Sequence, residues 1–262
     1  MRPETVHSFA NDLETLLEKP FSRSEREGFW LLRSADLACT IVLYLPGKTE
    51  RIPVSDGRVF HIDAEQIADQ RNKLLGRLAA LFGKGRAVHA RQTIAARIDK
   101  KMALSFQQEH HLQVALPGKY RYGLFRDGEL VSVAVFGGGR RMNGRPDGYR
   151  SFELLRFCHK SGLRVVGGLS KLIRAFGRDF RPGDIMTYVD RDWSRDSNLR
   201  TIGFSAVGEL PPQRFWASGG TRHPIRSAED LARLRKIHPS GCLKENSGSV
   251  KMVLPLADSG KS

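Results

Sequence analysis

The chain has 262 residues, 40% of them apolar, and carries 43 Lys plus Arg against 28 Asp plus Glu, a net +15 with a pI near 10.2. That is apolar enough for a real core and excludes a disordered chain; no apolar run approaches the ~18 residues of a membrane span, and the acids of MRPETVHSFANDLE read against a signal or transit peptide. Such basicity predicts a polyanionic partner, nucleic acid before an acidic membrane, and three cysteines without CxxC spacing predict reduced thiols in a cytoplasmic protein.

A short helix is expected over residues 1 to 20 from Phe9, Leu13, Leu16 and Leu17, ending before Pro20. Cys39 to Leu45, Arg51 to Val54 and Val59 to Ile62, split by LPGKTE and SDGR, predict a small β-meander. From Ala64 to Phe82, Ile67, Leu74, Leu75, Leu78 and Phe82 share one helical face. The GKG at 83–85 then marks a boundary. The expected organisation is an N-terminal helix and meander over 1–62, a basic linker helix over 63–85 and a main domain over 86–262.

In the main domain a strand is expected from Ala87 to Ile98 and a helix capped by Asp99 to about Gln108. HHLQVALPGK is an irregular loop. Tyr120 to Phe125 and Leu130 to Phe136 form a hairpin turning at Asp127-Gly128. The loop GGGRRMNGRPDG leads to a strand over Tyr149 to Cys158, a glycine turn with a helix over 166–178, a strand over Ile185 to Val189 and a short helix near 195–202. Weaker signals place strands at Phe215-Trp216 and Val250 to Leu256 and a helix at Ala228 to Ile237.

The glycine turn carries the chemistry. Gly167 and Gly168 open an amphipathic helix built on Leu169, Leu172, Ile173 and Phe176, and the first helical N–H groups have no intrahelical partner, so they face whatever anion lies before them. Gly167, Gly168, Ser170 and Lys171 therefore form either a diphosphate cradle or a tight strand-to-helix turn. Glu153 is either a general base for an attacking amine or the ion-pair partner of a nearby arginine, with Arg156, three residues on, expected on the opposite face. Tyr188, Asp190 and Trp193 surround a strand end, where Tyr188 or Asp190 suits acid or orienting work and Trp193 stacking on a base; ordinary turn residues are the alternative. Asn198 is a candidate cofactor contact. His111, beside His110, is a candidate proton carrier, and the adjacent pair is a poor metal site. Arg71 and Arg77 in the densest basic stretch, and Arg140, Arg141 and Arg145 in the glycine-rich loop, are candidate nucleic-acid contacts or solvated charges.

The element order, with RVVGGL (Arg164, Val166, Gly167, Gly168) after the fourth strand and a helix ending in GF after the fifth, resembles the GNAT acyltransferase superfamily over about residues 87 to 210; Leu169 stands at the last glycine-or-alanine position of the family's pyrophosphate segment. EHHLQ, GLFRDGELVSVAVFG, ELLRFCHKSGLRVVGGLSKLI, TYVDRDWS and NSGSVKMVL are similar to segments of a domain found in phage-encoded homing endonucleases, here without a nuclease signature in the first sixty residues. More distantly the order is similar to the Mom DNA-modification protein of phage Mu. These resemblances imply an α/β (α+β) fold with a GNAT-like mixed, mostly antiparallel central sheet flanked by helices and a β-rich N-terminal extension. They imply acetyl-CoA or another acyl-CoA as cofactor, with Arg164 and Val166 joining the glycines around it, and acyl transfer on or near DNA or RNA. The alternative is a non-catalytic basic nucleic-acid-binding module; no membrane partner and no metal are expected.

Overall fold

The computed structural model describes residues 3–54, 57–193, 199–219 and 221–256. In chain order its elements are α1 (Pro3–Leu17), β1 (Ser22–Arg26), β2 (Phe29–Ser34), β3 (Cys39–Tyr44), β4 (Arg58–Asp63), α2 (Ala64–Leu81), β5 (Arg86–His89), β6 (Ile94–Arg97) and α3 (Lys100–His110). There follow β7 (Tyr120–Arg126), β8 (Glu129–Phe136), β9 (Ser151–His159), β10 (Leu163–Val166), α4 (Gly168–Phe180) and β11 (Asp184–Asp190). The last are β12 (Ser205–Leu210), β13 (Arg214–Ser218), β14 (Thr221–Pro224), α5 (Ala228–Ile237), β15 (Cys242–Glu245) and β16 (Ser249–Pro255).

These elements form two compact units, unit one from residues 1–84, 190–196 and 209–249, and unit two from 85–189, 197–208 and 250–262. The GKG boundary falls at the Lys84/Gly85 division. The helix expected as a linker over 63–85 is α2, and it lies inside unit one beside α1. Two stretches expected in the 86–262 domain, 190–196 and 209–249, fold with the N-terminal segment. Among the described residues no helix is long and apolar enough to cross a membrane.

Unit two is built on a seven-stranded sheet in the order β12-β16-β11-β9-β8-β7-β6. β6, β7, β8 and β9 pair antiparallel, and β9 pairs parallel with β11 through the crossover that contains α4. This is the mixed, mostly antiparallel, helix-flanked sheet expected from the sequence. Asp127 (φ 51°) and Gly128 (φ 81°) make the β7–β8 turn with two left-handed residues, the geometry that matches strand twist. On one face α4 buries Leu172, Ile173 and Phe176 against Tyr122, Phe136, Phe152 and Leu154. Phe176 stacks on Phe136 with ring centroids 4.1 Å apart, and each such side chain contributes about 1.5–3 kcal/mol by leaving water. On the other face α3, capped by Asp99 accepting from Met102 N at 2.8 Å, packs Ala103 and Phe106 on Val133 and Val135.

Two local expectations are corrected. The strand expected over Ala87 to Ile98 is broken by a 3₁₀ turn at Ala90–Gln92, where Thr93 Oγ1 donates to Ala90 O at 2.7 Å; β5 then pairs with β10 in a separate two-stranded ribbon while β6 joins the large sheet. In unit one the expected meander is a four-stranded sheet β1-β2-β3-β4 in which β3 and β4 run parallel. The connection between them, 45–57, is long enough to return the chain to the starting end. It includes Arg51 to Val54, expected as a strand, which is irregular because Arg51 is drawn into buried carboxylates and Ile52 N donates to Tyr44 OH at 2.9 Å.

Candidate functional site

β9 and β11 pair over three rungs only: Asp184 with Ser151, Ile185 with Phe152, and Met186 with Glu153. Thr187 Oγ1 then donates to Leu154 O at 2.9 Å. Beyond it the ladder ends, although the strands continue to His159 and Asp190. The sequence of β9 supplies a cause: β8 matches Phe136 to Leu154 and Val135 to Arg156, so Leu155 is an extra residue. Such a bulge bends its strand and sharpens the twist. The sheet thus opens beside Glu153.

Phe152, Leu154, Ile185 and Val189 all turn into the core under α4. Strand alternation therefore places Glu153, Met186 and Tyr188 on the opposite face, at the mouth of the split. Glu153 keeps 22% of its side chain exposed and Tyr188 is 43% exposed. Arg140 Nη2 stands 3.8 Å from Glu153 Oε2. The bulge also corrects the expectation for Arg156, which shares the Glu153 face. Burial pulls the Arg156 guanidinium below its usual range, the charge of Glu153 opposes this, and Arg156 Nε donates to Val114 O at 3.0 Å.

Because α4 crosses between two parallel strands, its N-terminus lies at their carboxyl ends, where they part. Gly167 caps it in the left-handed region (φ 76°), and no side chain caps the first turn. The N–H groups of Gly168, Leu169 and Ser170 are therefore left for an external acceptor. Leu169 packs its side chain on the core, so it does not cover them. Arg164 Nε, on the strand leading into the turn, is buried without a hydrogen-bond partner. Val166 is exposed and Ser170 half-buried. Lys171 is corrected as a phosphate ligand: its Nζ donates to Ala90 O at 2.8 Å and to Thr93 O, pinning the 3₁₀ turn. Gly168 is small for a packing reason as well, since a Cβ there would lie 3.1 Å from Val165 Cγ1 and 3.2 Å from His159 Cε1.

That histidine is the residue sequence reasoning missed. His159 Nδ1 lies 3.0 Å from Ser132 Oγ, which itself donates to Cys158 O at 3.1 Å. The hydroxyl has one proton, so it accepts from Nδ1–H and the ring is the Nδ1 tautomer. Burial lowers the His159 pKa to about 4. The only sequence signal was a histidine ending an apolar strand just before the glycine turn. By contrast His111 Nδ1 accepts from Gln113 N at 3.0 Å and shapes the loop after α3. Asn198 lies outside the described residues, and among those residues no group of three or more metal-ligating side chains could hold an ion.

Asp190 and Trp193 belong to unit one, in a buried charge network that the sequence did not reveal. Asp192, 0% exposed, accepts from Arg51 Nη2 at 3.0 Å, Arg222 Nη1 at 3.3 Å, and Ser247 N and Oγ at 2.8 and 2.9 Å. Asp63, 1% exposed, pairs with Arg51 at 2.7 Å and Arg222 at 2.6 Å, while Lys244 Nζ, fully buried, reaches Leu45 O at 2.9 Å and Asp63 Oδ1 at 3.9 Å. Burial pushes the Asp63 and Asp192 carboxyls up, but the guanidinium groups of Arg51 and Arg222 outweigh it and hold both below the usual range. Asp190 is pushed up to about 6 by burial and then by the charge of Asp192, whose N–H it accepts at 3.0 Å. These residues join all three segments of unit one. Trp193 is corrected as a base-stacking residue: it is 7% exposed, against Phe60 and under Arg77, whose Cζ is 4.4 Å from the indole. Arg77 is otherwise exposed, and Arg71, half-buried, pairs with Asp12 at 2.6 Å and Ser8 at 2.7 Å. Arg140, Arg141 and Arg145 are exposed.

No model of a known protein family matches the chain, and no curated protein matches it. Among solved structures it is similar to Ard1 from Thermoplasma volcanium, with TM-score 0.39 and 13% identity over 64% of this chain and 99% of that one. It is similar to an IAA acetyltransferase from Bacillus cereus (0.36, 13%, 63% and 99%) and to a GNAT family acetyltransferase from Elizabethkingia anophelis solved with acetyl-CoA bound (0.35, 9%, 63% and 99%). At these values the likeness says nothing of substrate or mechanism.

Proposed function

We propose that the chain is an acyl-CoA-dependent N-acyltransferase working at the split between β9 and β11. One observation carries this reading: the parallel ladder stops at Met186 and Glu153, with a carboxylate and a phenol on one face of the opening and the uncapped first turn of α4 at its carboxyl end. The amides of Gly168, Leu169 and Ser170 suit a diphosphate, and the unmet donor of Arg164 suits a second anionic group. An acyl-CoA supplies an acyl group already activated as a thioester. Glu153 takes the proton that an attacking amine loses as its nitrogen bonds to the acyl carbon. Tyr188 gives a proton to the sulfur released when the carbon–sulfur bond breaks. Asp190, folded into the charge network, has no part in this scheme.

The alternative, a fold without the reaction, is favoured by one fact: packing against Val165 and His159 already accounts for Gly168. Thermal unfolding in CoA and acetyl-CoA separates the two, because a ligand of the native state raises stability by RT ln(1 + [L]/Kd), about 2.7 kcal/mol at a hundredfold excess over Kd. A rise with either compound, and a Glu153→Gln variant that binds acetyl-CoA unchanged but transfers the acetyl group to amines at least tenfold more slowly, are expected. No rise at millimolar concentration overturns the proposal.

A further inference from the structure

The positive charge is segregated. Unit two carries 22 Lys and Arg against 9 Asp and Glu, net +13, whereas unit one carries 21 against 19, net +2. Within unit two, folding brings basic residues from three chain segments to the end of the sheet where β9 and β11 begin. Tyr149 anchors the glycine-rich loop there: its hydroxyl donates to Asp184 Oδ2 at 2.5 Å, its ring covers Gly183, and Gly183 N donates to Arg150 O at 2.9 Å. The loop carries Arg140, Arg141 and Arg145, the last with its Cζ 5.1 Å from the Tyr149 ring centroid. The end of α4 brings Arg178 and Arg181. Lys119 arrives just ahead of Tyr120, whose ring lies 4.1 Å from Phe180.

Four carboxylates lie at this end, Asp147, Glu153, Asp179 and Asp184, against the six basic residues Lys119, Arg140, Arg141, Arg145, Arg178 and Arg181, so the cluster keeps a positive excess. Asp184 accepts from the hydroxyls of Tyr149 and Ser151, and Asp179 from that of Tyr122. Lys119, Arg141, Arg145, Arg178 and Arg181 are exposed and enter no ion pair among the described residues. The dipole at the end of α4 accounts for Arg178 and Arg181, but not for the loop arginines. Arg181 moreover holds a left-handed conformation (φ 43°) usually left to glycine. Like charges gathered this way repel one another, a cost that a polyanion removes. Among the described residues the cluster has no exposed aromatic side chain, Tyr120 and Tyr149 being each partly covered, which favours a duplex over the stacked single strand.

We propose that this end of unit two is a docking face for a nucleic-acid duplex, held through its phosphates and not through its bases. The test is binding of the full chain to a labelled 20-base-pair DNA duplex, followed by fluorescence anisotropy across a salt series and without acyl-CoA, so that its outcome is independent of the acyltransferase reading. A duplex neutralised at n phosphates gives a slope of about −0.9n in log K against log salt. The triple variant Arg141→Ala, Arg145→Ala, Arg178→Ala is expected to flatten that slope by one to three contacts. The corresponding lysine variants should keep it, and Arg126→Ala with Lys160→Ala, at the opposite end of the sheet, should leave it unchanged. The thermal midpoint of each variant establishes that it is folded. A wild-type slope near zero, equal flattening by the Arg126 and Lys160 pair, or preference for phosphatidylserine vesicles over the duplex each overturns the proposal.

Discussion

The two units spend charge differently. Unit one has nearly balanced charge and buries part of it: Arg51, Arg222 and Lys244 meet Asp63 and Asp192 inside the unit. Unit two has a large excess of positive charge and leaves most of it outside, over a core of stacked phenylalanines. A buried ion pair contributes little net stability compared with apolar packing, yet losing one partner is severe. Unit one is therefore the more brittle against single charge changes, and unit two the more tolerant of them on its surface.

All three tryptophans, Trp30, Trp193 and Trp216, lie in unit one, so their fluorescence reports that unit alone. The largest effect is expected from Asp192→Ala, which strands Arg51 and Arg222 and should destabilise unit one by about 3–5 kcal/mol. In a urea titration the tryptophan transition should move to lower denaturant, while hydrogen exchange of the α4 amides in unit two holds steady. An unmoved tryptophan transition removes the network as the tie between the three segments.

Acid should separate the units next. His159 titrates near 4 in the folded chain against an ordinary 6.5, so between those values the unfolded chain binds more protons. Stability of unit two is then fully present above about 6.5 and falls as pH drops toward 4, by about 2–3 kcal/mol. In unit one the depressed carboxyls of Asp63 and Asp192 contribute stability above the ordinary carboxylate range and lose it only below about 4, while Asp190, raised to about 6, adds a little stability as pH falls through 6. Hydrogen exchange in unit two should thus quicken at a pH where tryptophan fluorescence is still native, and His159→Gln should abolish the difference. Simultaneous loss at both probes breaks the contrast. The smallest effect is local: Ala38, exposed with φ 45°, should gain about 0.5–1 kcal/mol when changed to glycine, visible only in the tryptophan transition.

Much of unit two was legible from local pattern. The Asp99 cap, the Asp127-Gly128 turn and the helix after Gly167 are each decided by residues within a few positions of one another, and in unit one α5 (Ala228–Ile237) is likewise a matter of periodicity. β10 was missed because Leu163–Val166 reads as the approach to the turn, and its partner β5 lies more than seventy residues earlier. β1, with the burial of a surface edge strand, gives no alternating apolar signal at all. TYVDRDWS read as an active-site strand end because its polar residues look exposed in one dimension; Asp192 is buried only because Arg51, Arg222 and Ser247 arrive from distant parts of the chain.

The amino-acid sequence alone determined the helices, the hairpin, the net charge and the glycine turn, since capping, periodicity and φ preferences act over a few residues. Tertiary structure decided which strands part, which carboxylates are buried and which arginines stay exposed. Those outcomes depend on the bulge at Leu155 and on pairings more than a hundred residues apart, such as Arg51 with Asp192, and no local pattern encodes what a side chain will meet after the chain has closed on itself.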